Sequence, residues 1–175
     1  MAQASSLASR IARLVRHRMR DERNTHRVVG KDAVQRIAQR VAQSEQAHSG
    51  QVRVCIESSL PASYVMRDAT ARDRAVAMFG KLRVWDTEHN NGVLVYVLLV
   101  ERAIEVVADR GVAARVPQEQ WDGIVTRMQS AFSDARFEDG LLRAIDEVTA
   151  VLTAHFPREA GQAQANELPD EPVLG

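Results

Sequence analysis

Gly92-Val93-Leu94-Val95-Tyr96-Val97-Leu98-Leu99-Val100 decides the fold. Nine residues without a charge, rich in β-branched side chains, are too few to span a membrane and too continuous for a half-exposed strand. They predict a central strand covered on both faces. Glu101-Arg102 interrupts the run before Ala103 to Ala108, which reads as a hairpin partner across a short turn lacking Gly or Asn. Upstream, Val52, Val54 and Ile56 alternate with Arg53, Cys55 and Glu57, so 52–58 is a strand that Pro61 stops.

Helical spacing fills the intervals. Val34, Ile37, Ala38 and Val41 recur at three and four residues, giving a helix over 31–48. Ala69, Ala75, Val76, Phe79 and Leu82 predict one over 68–83 between the first two strands. Pro117 opens a third, 117–133, through Trp121, Ile124, Val125, Met128 and Phe132, and Leu141, Ile145, Val148 and Leu152 define a fourth, 139–155. Three strands and four helices, with the first two strands joined through a helix, predict an α/β three-layer α-β-α sandwich. It has a small mixed sheet, a right-handed β-α-β connection and a β-hairpin.

The chain's 175 residues, 45% of them hydrophobic, suffice for one domain with a core. Its 23 basic and 23 acidic residues cancel, which removes a global electrostatic case for a polyanionic partner. The distribution is uneven: residues 1–40 carry a net +7, 41–156 a net −4 and 157–175 a net −3. The organisation expected is a basic amphipathic arm over 1–29, an α/β domain over 30–156 and an unfolded acidic, Pro-containing tail over 157–175. Arginines break every apolar run of the arm, which excludes a secretory signal, although an Arg-rich, acid-poor start also resembles an organellar transit peptide. No membrane span exists, and the expected location is cytoplasmic or peripheral on a membrane. Leu7, Ile11, Leu14 and Val15 among Arg10, Arg13, Arg16, Arg18, Arg20, Arg23 and Arg27 leave three readings of the arm: a helix packed on its own domain, a helix on anionic lipid through residues 10–27, or a nucleic-acid arm. The last is weakened because no aromatic residue is interleaved to stack on bases.

Catalytic motifs are sparse. A single cysteine, Cys55, excludes a disulfide framework and a multi-thiolate zinc site, and its place on a core strand reads as an inert thiol rather than a nucleophile. Gly30-Lys31-Asp32 lacks the upstream Gly and the hydroxyl residue of a phosphate loop. The five histidines form no His-Glu-x-x-His motif, and Glu45 with His48, three apart on one helix, needs carboxylates from elsewhere to hold a metal. Asp134, Glu138 and Asp139 flank a helix start, where acids are favourable. Asp86-Thr87-Glu88-His89-Asn90-Asn91-Gly92 is the most suggestive cluster, because alternating oxygen donors are how a loop wraps a hard cation. An EF-hand would want Gly at Asn91 and a bidentate Glu at Val97, so the loop is also readable as a turn entering a buried strand.

Four strings give the chain a resemblance: His48-Ser49-Gly50-Gln51-Val52-Arg53, Asn90-Asn91-Gly92-Val93-Leu94-Val95, Asp109-Arg110-Gly111-Val112 and Phe137-Glu138-Asp139-Gly140-Leu141. In order and spacing over about residues 30–156 they resemble the TPM domain family, the group containing thylakoid-lumen acid phosphatase and photosystem II repair proteins and many bacterial membrane-anchored proteins. The resemblance, to a soluble bacterial member, implies an α-β-α sandwich with a loop-lined groove able to hold a divalent cation, and a phosphatase activity in some members. The candidate metal residues are Asp86, Glu88, Asn90, Asn91 and Asp109, with calcium or magnesium as the ion. Two departures count against catalysis: where relatives carry Gly-Leu-Glu and a later Asp, this chain has Gly111-Val112-Ala113 and Gln118. Asp109, where relatives often have Gly, partly replaces the lost charge. The function expected is a non-catalytic interaction module for a protein partner. The alternatives are a divalent-metal-dependent acid phosphatase and a nucleic-acid or anionic-membrane binder acting through the arm.

Overall fold

The computed structural model describes residues 7–19, 25, 27–133, 136–158 and 166–175. In chain order the elements are α1 (Leu7–Arg18), α2 (Lys31–Ser44), β1 (Gln51–Glu57), α3 (Ala62–Met66), α4 (Ala71–Lys81), β2 (Gly92–Leu98), β3 (Ala103–Ala108), α5 (Arg110–Ala113), α6 (Gln118–Ser133), α7 (Phe137–His155) and β4 (Val173–Leu174). The sheet order is β3-β2-β1-β4. β1 runs parallel to β2 from Gln51↔Gly92 to Glu57↔Leu98, and β2 is antiparallel to β3 from Val93↔Ala108 to Leu98↔Ala103.

Strand alternation sorts the side chains into two cores. Val52, Val54, Ile56, Val93, Val95, Val97, Ile104 and Val106 face α2, α6 and α7 through Ile37, Val41, Ile124, Met128, Leu141, Ile145 and Leu152. Cys55, Leu94, Tyr96, Leu98 and Val107 face α3 and α4 through Val65, Ala71, Ala75 and Met78. This is the predicted three-layer sandwich, and every residue of β2 is buried because both its faces are covered. Each fully buried aliphatic side chain contributes roughly 1.5–3 kcal/mol before entropy is subtracted.

Three local differences have physical causes. The hairpin turns without Gly because Arg102 takes the left-handed conformation, φ 51°, with its N–H donating to Leu99 O at 3.2 Å. The crossover between β1 and β2 holds two helices, and the Thr70 capping box with Asp73 starts α4 at Ala71 rather than at 68. The described end of the tail, residues 166–175, departs from the expectation of an unfolded segment over 157–175. Val173–Leu174 forms β4 parallel to β1, pairing Cys55↔Val173 and Ile56↔Leu174, and Leu168 is buried. The Arg53 guanidinium donates to Pro169 O and Glu171 O, while Gln51 Oε1 accepts from Glu167 N at 2.9 Å and Leu168 N at 3.0 Å. The polar side chains of Gln51 and Arg53 are what fasten the tail. Asp134, part of the acidic concentration before the last helix, lies outside the described residues, as do arm residues 20–24.

Candidate functional site

Because β1 and β2 are parallel and β3 returns antiparallel, the segments entering β1, entering β2 and leaving β3 meet at one end of the sheet. Hydrogen bonds stitch them together. Gln51 N donates to Asn91 O at 3.3 Å, Asp109 N to Gly92 O at 2.8 Å and Gly111 N to Asn90 O at 3.0 Å. Asn91 Nδ2 donates to Ser49 O at 2.9 Å. Three of the four strings that carry the resemblance are therefore one contiguous structure. The fourth lies elsewhere, its Glu138 held by two hydrogen bonds from Arg36, which keep the carboxyl below its ordinary range.

The close approach needs glycine at two positions. A Cβ on Gly92 would stand 2.0 Å from Val84 O, and one on Gly111 would stand 2.5 Å from Asn90 O and 2.9 Å from His89 O. Asn90 turns the loop with φ 51°, a conformation Asn tolerates, and Thr87 closes it, its Oγ1 accepting from Asn91 N at 3.1 Å and its carbonyl from Asn90 N at 3.2 Å.

Two oxygens stand out at this junction. Asn91 is fully buried and its Nδ2 is satisfied, yet its Oδ1 has no hydrogen-bond donor among the described residues. Asp109 is 8% exposed; its Oδ1 accepts from Arg110 N at 2.7 Å, and its Oδ2 is buried without a donor. Unpartnered buried acceptors cost free energy, a carboxylate oxygen most of all, and such atoms are rare in folded proteins. The other candidate residues are placed differently. Asn90 Oδ1 is used by Arg110, accepting from Nε at 3.0 Å and Nη2 at 2.7 Å. Asp86 is exposed and 3.9 Å from Arg83 Nη1, and Glu88 is exposed, its backbone N–H donating to Glu167 Oε2 at 2.9 Å. Of the five residues, Asn91 and Asp109 carry buried oxygens without a hydrogen-bond partner among the described residues. No group of three or more His, Cys, Asp or Glu suited to a metal occurs among the described residues.

Nearby titratable groups are built into the fold. His48 is fully buried, Ser44 Oγ donating to its Nε2 at 2.9 Å and its Nδ1 donating to Gly50 O at 3.1 Å; desolvation pulls its pKa down to about 4. Glu45 accepts from Val52 N at 2.8 Å rather than pairing with His48, and desolvation pushes its carboxyl up to about 7. Cys55 is fully buried, its thiol pushed up to about 12 by burial and then by Glu57, which makes it a poor nucleophile. The triad of buried Glu57 and Tyr96 with the partly buried Arg74 escaped sequence reasoning. Arg74 Nε and Tyr96 Oη both donate to Glu57 Oε2 at 2.8 Å, and burial followed by the Glu57 charge drives the Tyr96 hydroxyl far above its usual range. The available signal was Glu57 alternating onto the same face as Cys55.

The fold and this loop junction define an α/β sandwich domain with a candidate oxygen-donor site at one sheet end. The TPM domain family profile matches residues 24–151, and the chain belongs to that family. Among solved structures the chain resembles the BA42 protein from the psychrophilic bacterium Bizionia argentinensis, determined by NMR, with a TM-score of 0.72 and 26% identity over 82% of this chain and 93% of that one. A comparison with curated proteins finds no match. No described helix is long and apolar enough to cross a membrane.

Proposed function

We propose that this TPM domain is a non-catalytic interaction module whose loop end is braced by a divalent cation, calcium or magnesium, held by Asp109 Oδ2 and Asn91 Oδ1. The observation that carries the reading is the pair of buried, donorless oxygens on loops joined by the Asp109 N to Gly92 O hydrogen bond. A carboxylate and an amide oxygen are hard donors of the kind these ions take, and carbonyls and water complete such shells. When bound, the ion neutralises Asp109 and polarises any oxygen ligand it shares with a partner. Asn91 and Asp109 orient the two loops, and the exposed Glu88, Asp86 and His89 around them offer a polar rim to a protein partner.

Support for the non-catalytic half comes from the donor count. Hydrolysis of a phosphate ester on a metal normally uses several converging carboxylates, and here one buried carboxylate stands alone. At the positions where relatives keep acids, Ala113 and Gln118 are exposed, Gln118 being bonded to Asp122 at 3.0 Å.

Thermal unfolding with and without calcium or magnesium tests both halves when p-nitrophenyl phosphate release is followed in the same samples. The expected result is a rise in Tm of about 5 °C or more at a hundredfold excess over Kd, lost in Asp109→Asn, with phosphate release at the protein-free rate. An unchanged Tm contradicts the cation, and Asp109-dependent release contradicts the non-catalytic assignment.

A further inference from the structure

Helix α1 is packed against its domain through Leu14, which is partly buried against the second core, and through Arg13 and His17. Arg13, whose side chain is 20% exposed, donates to Glu101 at 2.7 Å and to Ala69 O at 2.7 Å, and stands 3.3 Å from Asp68. His17 is buried, its Nε2 donating to Glu101 Oε1 at 2.8 Å while its Nδ1 accepts from Leu60 N at 2.9 Å. The apolar stripe points the other way: Ile11 is 54% exposed, Val15 52% and Met19 78%, four residues apart along one line. Exposed Arg16 and Arg18 border that line.

We propose that this outward face of α1 docks the protein on an anionic lipid surface. Charge complementarity selects the occupant. The cations beside this line are the exposed Arg16 and Arg18, and an apolar line bordered by arginines is the composition of a helix lying in a headgroup region, its guanidiniums reaching phosphates while the stripe enters the acyl boundary. A second copy of the chain, pairing stripe to stripe, would set the same arginines against each other. Nucleic acid would gain nothing from Ile11, Val15 and Met19. The inward ion pairs fix the helix on the domain, so docking presents the whole domain to the membrane in one orientation. Ile11 and Val15 on the helix and Met19 just past its end bury little area, so attraction to anionic lipid must supply much of the affinity and binding falls with salt.

The test is co-sedimentation of the full chain with phosphatidylcholine vesicles, plain or one-third phosphatidylglycerol, at low and physiological salt. The expected result is binding to the anionic vesicles alone. Changing Ile11, Val15 and Met19 together to Ser weakens it at least about tenfold. Arg16→Glu with Arg18→Glu weakens it by a similar factor. Val76→Ser, which changes a 51%-exposed valine on α4, leaves it intact. Tm stays unchanged in all three variants, because the altered side chains touch little of the domain. The proposal is overturned if the anionic vesicles bring down no protein at low salt, if the triple-Ser variant sediments like the parent, or if size exclusion shows a dimer that the triple change dissolves.

Discussion

Two buried carboxylates at opposite ends of the sheet are treated in opposite ways. At the end of β1, Glu57 is 6% exposed and both its oxygens are taken, by two bonds from Arg74 and one from Tyr96. After β3, Asp109 is 8% exposed and one of its oxygens faces no donor, and the neighbouring Asn91 repeats the omission. The first is a closed set of bonds that secures α4 to the sheet. In the second, two acceptors sit on loops joined by backbone hydrogen bonds, the arrangement on which the proposed cation rests. Satisfaction of the partners, not burial alone, is what distinguishes the two carboxylates.

The comparison breaks most easily at its closed end. Glu57→Ala leaves Arg74 and the Tyr96 hydroxyl buried without their acceptor and should cost about 3–5 kcal/mol, read as a fall in the urea midpoint. Gly111→Ala attacks the open end sterically. Its Cβ meets Asn90 O at 2.5 Å, backbone that cannot swing aside, so a loss of about 1–3 kcal/mol is expected, together with the cation response.

Glu45 lies between the two extremes, with one backbone donor and a pKa raised to about 7. A raised carboxylate contributes stability that is complete below its unfolded value near 4.5 and is lost as pH climbs through 7. Glu45→Gln should therefore match the parent at pH 4 and exceed it by about 1–2 kcal/mol at pH 8, a difference that pH-dependent unfolding curves resolve. His48 titrates with the opposite sign in both proteins and cancels from the difference: its depressed pKa removes stability as pH falls from 6.5 through 4. The smallest effect belongs to Asp109→Asn. Without cation it should change stability by no more than about 1 kcal/mol, since Asn keeps the bond to Arg110 N and removes a buried charge. A drop as large as that of Glu57→Ala would make Asp109 structural.

Much of the fold was legible because it follows from local pattern. The β2 run announced two covered faces, and Ile37 and Val41 announced the inner side of α2. The tail was not, since β4 is two residues long and depends on Arg53 and Gln51, whose donor and acceptor groups meet it across more than a hundred residues. The arm was half legible: spacing located the stripe of Ile11 and Val15, but Arg13 and His17 decide which side faces the domain. At the site, Asn91 came from the oxygen-rich loop and the strings, and Asp109 from the strings and their order. Alternation also put Asp86 and Glu88 forward, and it reports only spacing, whereas which loops adjoin is set by Thr87 closing the loop and by β3 returning Asp109 beside Gly92.

The most direct measurement is an amide NMR titration of the full chain with calcium and with magnesium, repeated on Asp109→Asn. The account predicts that amides of 86–92 and 109–112 shift together on one saturating curve, that those around Glu57 and Arg74 stay still, and that Asp109→Asn abolishes the response. Amides that do not move, or that move equally in the variant, would contradict the claim that the two donorless oxygens hold a cation.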